Sequence, residues 1–160
     1  LLLEHALEML LSSIKRKLID SSNREYVSMM EPFVPVIQGI CKFRKSSRTM
    51  VLSLRCFTEL LKWDLQSLPE AVPAICKSLF STLKVVGTSS ISGGGSGSSF
   101  SSSEKSTATD TGQACIRALT VVLRQCKYYK ISKSQQQLLV LIAQNNVTNE
   151  QRQQTTFALL

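Results

Sequence analysis

The lysine and arginine side chains of this chain have a regular spacing that indicates a binding surface. Arg48, Arg55 and Lys62 follow one another at seven-residue intervals, which places them on one strip of a helix. Arg117 and Arg124 repeat that interval later in the chain. Lysine and arginine side chains arranged along a strip can neutralise successive phosphates of a nucleic-acid backbone. The sequence therefore predicts a phosphate-binding strip, and a solvated helix face without a ligand is the alternative.

The overall charge agrees with a polyanionic partner without identifying it. The chain has 19 basic and 11 acidic residues and a net charge of +8. Such a balance attracts RNA, DNA, an acidic protein surface or a membrane headgroup layer alike. Aromatic side chains, on which single-stranded bases stack, are scarce beside the strip, where only Tyr128 and Tyr129 occur.

The residues needed for catalysis or for a cofactor do not form a pattern. His5 is the only histidine, the carboxylates are scattered, and no Gly-x-Ser-x-Gly sequence marks a nucleophile. We therefore expect no enzyme, no cofactor and no small-molecule substrate.

The cysteines predict neither a metal site nor a disulfide framework. They are widely spaced, without a Cys-x-x-Cys pair, at Cys41, Cys56, Cys76, Cys115 and Cys126. Each lies in an apolar run, where a free thiol behaves as a small hydrophobic side chain. This usage is typical of a reducing compartment, nuclear or cytosolic. No apolar run reaches the length of a membrane span, so we expect no membrane partner.

Two helices that would carry the basic strip have matching apolar stripes. Met50, Leu54, Phe57 and Leu61 step by i, i+4, i+7 and i+11, and so do Cys115, Leu119, Val122 and Cys126. A phrase Arg-x-x-Thr accompanies them, beginning at Arg55 and Arg117 and again at Arg152. The second and third copies begin 35 residues apart, and the first and second begin 62 apart, or roughly in the high thirties once the serine- and glycine-rich stretch between them is removed. Helix pairs that recur at about this period predict an all-α stack of antiparallel helix pairs, an α-solenoid of the HEAT or armadillo type. A chance recurrence of the short phrase is the alternative.

The periodicity and the turn residues predict eight helical segments. Their ranges are 2–19, 24–30, 32–43, 47–62, 68–86, 110–128, 135–144 and 149–160. The first of them has an apolar side formed by Leu3, Leu7, Leu10, Ile14 and Leu18. The chain begins without a methionine and ends inside a helical pattern, which indicates that 1–160 is a fragment of a larger HEAT-like solenoid.

A serine- and glycine-rich segment, 87–109, interrupts the repeat. It has too little apolar surface to offset the entropy of ordering it, so we expect a disordered loop within one repeat. A phosphate-binding loop is disfavoured because no strand precedes it and no Gly-Lys-Ser/Thr sequence closes it. An interdomain linker is disfavoured because the repeat resumes in phase, and a phosphorylated serine tract stays open.

Several phrases resemble a known family, the large HEAT-repeat protein of the small-subunit processome, or down-regulated-in-metastasis family. The phrases are Glu31-Pro-Phe-Val-Pro35, the helix from Arg55 to Trp63, Leu68-Pro69, the stretch from Gln113 to Ile131, and Gln137 to Ile142. The similarity extends from about Pro32 to Leu160, except for the longer serine- and glycine-rich segment.

The resemblance implies a nucleolar, non-catalytic scaffold that acts in pre-rRNA processing and 40S assembly. Its partners would be processome proteins and pre-ribosomal or small nucleolar RNA. The charge pattern, and not the resemblance, predicts that the RNA is bound by the strip of Arg48, Arg55, Lys62, Arg117 and Arg124. The alternative is a HEAT-repeat transport or adaptor protein that binds only proteins. A strongly salt-dependent affinity for RNA would favour the first hypothesis.

Overall fold

The computed structural model describes residues 2–43, 46–91 and 102–147, and this part of the chain is helical without any strand. Its seven helices are α1 (Leu2–Lys15), α2 (Arg24–Met30), α3 (Phe33–Phe43), α4 (Ser47–Leu60), α5 (Leu68–Ile91), α6 (Ser102–Gln125) and α7 (Lys133–Val147). No helix within the described ranges is long and apolar enough to cross a membrane.

The longer helices pack in two rows. In the first row α4 lies between α1 and α6, and in the second row α5 lies between α3 and α7. The rows are joined where α3 packs on α4 and where α5 packs on α6. Helix α4 is therefore covered by three neighbours, and eight of its 14 residues are buried.

Contacts between helix ends give the directions of the helices. Glu4 in the first turn of α1 accepts a hydrogen bond from Thr49 Oγ1 in the first turn of α4, at 2.8 Å, so these two helices run parallel. Ser47 at the start of α4 is hydrogen-bonded to Thr111 of α6, which runs the same way. Between rows the direction reverses, because Val86 late in α5 faces Gly112 in the first half of α6, whereas Cys76 earlier in α5 lies near Cys126 just after the end of α6.

The apolar stripes lie where the sequence predicts them. Leu54 and Phe57 of α4 are each 1% exposed, and Leu119 and Val122 of α6 are fully buried. The other members of both stripes, Met50, Leu61, Cys115 and Cys126, are buried as well. The prediction of an all-helical fold with these two core stripes is confirmed.

The end of α1 corrects one prediction. The helix ends at Lys15 and not at residue 19, because Lys17 adopts a left-handed conformation with φ of 55°. The N–H groups of Lys17 and Leu18 then donate to the carbonyls of Ile14 and Ser13, which is the Schellman pattern. Leu18 is 65% exposed, so its predicted place on the buried side of this helix is wrong.

The segment predicted to lack regular structure, 87–109, is helical at both ends. Helix α5 extends to Ile91 and α6 begins at Ser102. Adding a residue to an existing helix forms one hydrogen bond without a new nucleation step, so two packed helices extend into a sequence that would not start a helix by itself. The predicted loop between them, 92–101, and the predicted helix 149–160 with Arg152 lie outside the described residues.

Candidate nucleic-acid interface

The five predicted strip residues all have exposed side chains. Arg48, Arg55 and Lys62 belong to α4 or to the turn directly after it, and Arg117 and Arg124 belong to α6. Because α4 and α6 pack directly on each other, the structure brings the two halves of the strip onto neighbouring helices.

The hydrogen bond between Ser47 and Thr111 sets the register of α4 against α6. Arg55 follows Ser47 by eight residues and Arg117 follows Thr111 by six. At about 1.5 Å of rise per residue, the two arginines are level to within roughly 3 Å along these parallel helices. Lys62 follows Arg55 by seven residues and Arg124 follows Arg117 by seven, so these two side chains are level with each other to the same extent.

The local sequence keeps these arginines outward. In α4 the neighbours of Arg55 are Leu54 and Cys56, at 1% and 0% exposure, and they turn toward the core. In α6 Ile116 and Ala118 do the same on either side of Arg117. Arg55 and Arg117 lie opposite the core stripes of their helices, on the side that faces solvent, and both side chains are exposed.

The threonine of the repeated phrase has a structural role. Thr58 Oγ1 donates to the carbonyl of Arg55, and Thr120 Oγ1 donates to the carbonyl of Ile116, at 2.8 and 2.9 Å. Both hydroxyls are thus satisfied inside their own helices. In the copies of Arg-x-x-Thr that begin at Arg55 and Arg117, the arginine is exposed to solvent. The threonine is half-buried or buried and forms its hydrogen bond within its own helix.

Arg48 and Lys62 are paired with carboxylates. Arg48 Nη2 lies 2.7 Å from Glu8 Oε1 of α1, and Lys62 Nζ lies 2.5 Å from Glu59 Oε2 one turn earlier. The hydrogen bond from Arg48 lowers the pKa of Glu8, and the same contact raises the pKa of Arg48. These contacts reduce the positive potential at both ends of the α4 half of the strip.

Arg55 and Arg117 differ from those two. Within the described ranges, neither guanidinium forms an ion pair with a carboxylate. They are therefore the strip residues best placed to meet an external anion. Glu59 and Lys62 are three residues apart in one helix, so their ion pair could be expected from the sequence. The ion pair between Glu8 and Arg48 requires the packing of α1 on α4.

The cysteines contribute to the core and not to this surface. All five have free thiols and are buried. Burial raises the pKa of Cys41 and of Cys76 to about 12 and that of Cys56 to about 11, so these three stay protonated at neutral pH. His5 lies on the exposed side of α1, 3.6 Å from Glu8.

The chain matches no known protein-family model and no solved structure.

Proposed function

We propose that this chain is part of a HEAT-like α-solenoid, a non-catalytic scaffold of the small-subunit processome in the nucleolus. In this role it contacts pre-ribosomal RNA through phosphates and contacts neighbouring proteins through its remaining surfaces. The RNA-binding part of the proposal is based on the positions of Arg55 and Arg117. Both side chains are exposed, and they lie at the same level on two adjacent parallel helices.

The arrangement of helices supports the solenoid part of the proposal. Each repeat of such a stack contributes one helix to each of two rows, and helices within a row run parallel. Here α3 with α4, and α5 with α6, form two successive antiparallel pairs whose members extend the two rows in order. The assignment to the processome is based on the resemblance of the sequence phrases between Pro32 and Leu160.

Phosphate binding follows from the chemistry of the exposed pair. An arginine guanidinium presents donors in a fixed fork that matches phosphate oxygens. Neighbouring helix axes are about 8–10 Å apart, a separation that lets two such groups contact phosphates of one duplex or folded RNA. Since base edges are not addressed by such contacts, recognition follows backbone shape and not sequence.

Cross-linking inside cells tests this function. Ultraviolet irradiation of cells that contain the tagged parent protein, followed by sequencing of the bound RNA, is expected to recover precursor rRNA. The variant Arg55→Glu/Arg117→Glu is expected to lose the cross-links that map to this part of the chain and to keep its nucleolar location. Recovery of no ribosomal precursor, or a protein found outside the nucleolus, would refute the proposal.

A protein-only adaptor is the second candidate. It is favoured by the ion pairs of Arg48 and Lys62, which show that acidic side chains already bind to part of the strip. On this account the strip receives an acidic protein segment. Cross-linking then recovers a protein partner at Arg55 and Arg117 in place of RNA.

A further inference from the structure

Helix α1 is followed by exposed cations, and one of them, in its last turn, lies beside the strip on α4. Lys15, Arg16 and Lys17 are all exposed. Lys15 is in the last turn of α1 and follows Glu8 by seven residues, which places these two side chains on the same side of the helix. Glu8 pairs with Arg48 at the solvent surface, where their side chains are 39% and 68% exposed. The side of α1 that carries Lys15 therefore borders the outer strip of α4.

Contacts between the parallel helices α1 and α4 give the level of Lys15 along the row. Three residues of α1 make these contacts, namely Glu4, Leu7 and Glu8. Counted forward from them at equal rise per residue, Lys15 is level with positions 60, 64 and 55 of the chain, respectively. The mean of these levels lies between Arg55 and Lys62. Burial raises the pKa of Cys56 to about 11, and the positive charge of Lys15 opposes this rise, which agrees with a position of Lys15 close to this part of α4.

We propose that Lys15 is a further phosphate-binding residue and that double-helical RNA lies across α1, α4 and α6. Lys15, Arg55 and Arg117 then form a cation band, with one member on each of three adjacent parallel helices. Neighbouring helix axes are about 8–10 Å apart, so the cation band extends over roughly 16–20 Å. This inference rests on the proposed function, in which Arg55 and Arg117 bind RNA phosphates.

The ion pairs on α4 favour this direction over one along the helix. RNA that followed α4 would meet the two ends of its strip, where Arg48 and Lys62 are already paired with carboxylates. In the part of the chain that the structure describes, no member of the cation band forms an ion pair with a carboxylate. A phosphate that contacts the cation band therefore does not have to displace a carboxylate.

The side chains around the cation band favour a duplex over a single strand. Helices α1 and α6 contain no Phe, Tyr or Trp, and the one aromatic residue of α4, Phe57, is 1% exposed. Proteins bind single strands largely by stacking the bases on aromatic side chains, which these three helices do not present to solvent. Duplex RNA is recognised through its shape and its phosphates, and a band of cations can contact these phosphates.

Salt titrations of the full chain with an RNA duplex of about 20 base pairs test the contact at Lys15. Lys15→Gln is expected to weaken binding on the order of ten-fold at about 0.1 M salt and to flatten the slope of log K against log salt by about one. The matched control Lys77→Gln removes an exposed lysine of α5, in the other row, and should leave the slope unchanged. Equal slopes for the two variants would overturn the proposal.

Thermal unfolding separates the phosphate contact from a structural role of Lys15. A lysine in the last turn of a helix also stabilises that helix through its macrodipole, so Lys15→Gln can lower the melting temperature slightly. A purely structural role would change the melting temperature and leave the salt slope of RNA binding unchanged. Lys15→Arg keeps the charge and is expected to keep both the affinity and the slope.

A charge-neutral change tests the direction of the RNA. Glu59→Gln/Lys62→Gln removes the ion pair at the end of α4 without changing the net charge. RNA that lies across the row keeps its slope in this variant, whereas RNA that follows α4 loses one contact and its slope falls by about one. A fall of that size would contradict the direction, and tighter binding of a single strand of equal length would contradict the duplex.

The variant Arg55→Glu/Arg117→Glu distinguishes failure of this inference from failure of the proposed function. If that variant weakens binding while Lys15→Gln behaves like Lys77→Gln, the RNA-binding function stands and the role of Lys15 is wrong. If none of these changes alters binding, the proposed function is wrong, and the inference from it is wrong as well.

Discussion

The hydroxyl groups of Ser47 and Thr111 are hydrogen-bonded across 64 residues of sequence, and this contact joins the first turn of α4 to α6. It marks the axial register of two parallel helices of one row, which pack through their buried stripes. That register is the reason why Arg55 and Arg117, which the sequence separates by 62 residues, are level on the molecule. The geometry of the candidate interface thus follows from the packing of α4 on α6, whose register this hydrogen bond marks.

Removal of the side chain of Leu54 is expected to be the most damaging single change in α4. Leu54 is 1% exposed within a helix that has three packed neighbours, so Leu54→Ala leaves a cavity and should lower the free energy of unfolding by roughly 2–5 kcal/mol. Urea denaturation followed by circular dichroism measures it. The control Leu18→Ala, at a 65% exposed position, should change stability by less than about 0.5 kcal/mol. Similar effects of the two changes would contradict the packing described here.

Replacement of Lys17 by glycine is expected to stabilise the protein by roughly 1 kcal/mol. Lys17 has φ of 55°, a conformation that costs an L-amino acid with a side chain more than it costs glycine. The matched control is Lys15→Gly in the last turn of α1, which should destabilise by about 1 kcal/mol because glycine is a poor helix former. Melting temperatures of the two variants should shift in opposite directions. A shift of the same sign in both would show that α1 does not end in this way.

Gly39 of α3 and Gly112 of α6 are expected to respond differently to alanine. A Cβ at Gly39 of α3 meets nothing within 4 Å, so Gly39→Ala should add roughly 0.5–1 kcal/mol through helix propensity alone. A Cβ at Gly112 of α6 would lie 3.3 Å from Val86 Cγ1, so the same gain is partly offset by crowding between α5 and α6. Chemical denaturation should rank Gly39→Ala as the more stable variant. The reverse order would place α5 and α6 farther apart than described.

Glu31 gives stability a dependence on pH. Its carboxylate accepts from the backbone N–H groups of Gln66 and Ser67, at 2.6 and 3.2 Å, and from the Ser67 hydroxyl at the start of α5. Burial alone would raise the pKa of Glu31, but these hydrogen bonds together outweigh it and lower the pKa below 4.5. A pKa lowered by folding means a contribution that is complete above the unfolded value, near pH 4.5, and is lost as the pH falls through the folded value.

The comparison with Glu31→Gln isolates that contribution. The variant should be less stable at pH 7 by on the order of 1 kcal/mol, since the amide keeps the shape but not the charge at the start of the helix. Below pH 4.5 the difference should shrink as the pH falls toward the lowered pKa of folded Glu31, because the wild-type carboxyl then becomes protonated as well. Unfolding curves of the wild type and of Glu31→Gln at several pH values measure this difference in stability. A difference that stays constant down to pH 2 would show that the ionised carboxylate does not cap α5.

The sequence was sufficient for those parts of the fold that depend on local periodicity. The stripe through Leu54 and the stripe through Leu119 follow from 3.6-residue spacing, and the outward position of Arg55 follows from its place opposite the first stripe. The left-handed Lys17 could not be anticipated, because lysine carries no signal for that conformation. The ion pair of Arg48 with Glu8 also could not, since it joins residues 40 positions apart and requires the packing of α1 on α4.

The salt dependence of RNA binding distinguishes a phosphate-binding strip from a solvated helix face. Labelled precursor-rRNA fragments are titrated with the wild type, with Arg55→Glu/Arg117→Glu and with the control Arg24→Glu/Lys42→Glu. Both variants have the same net charge, +4 in place of +8, but the control changes exposed cations on α2 and α3. Loss of two phosphate contacts should weaken binding and flatten the slope of log K against log salt by about two units for Arg55→Glu/Arg117→Glu alone. Equal affinities and slopes for the wild type and that variant would contradict the claim.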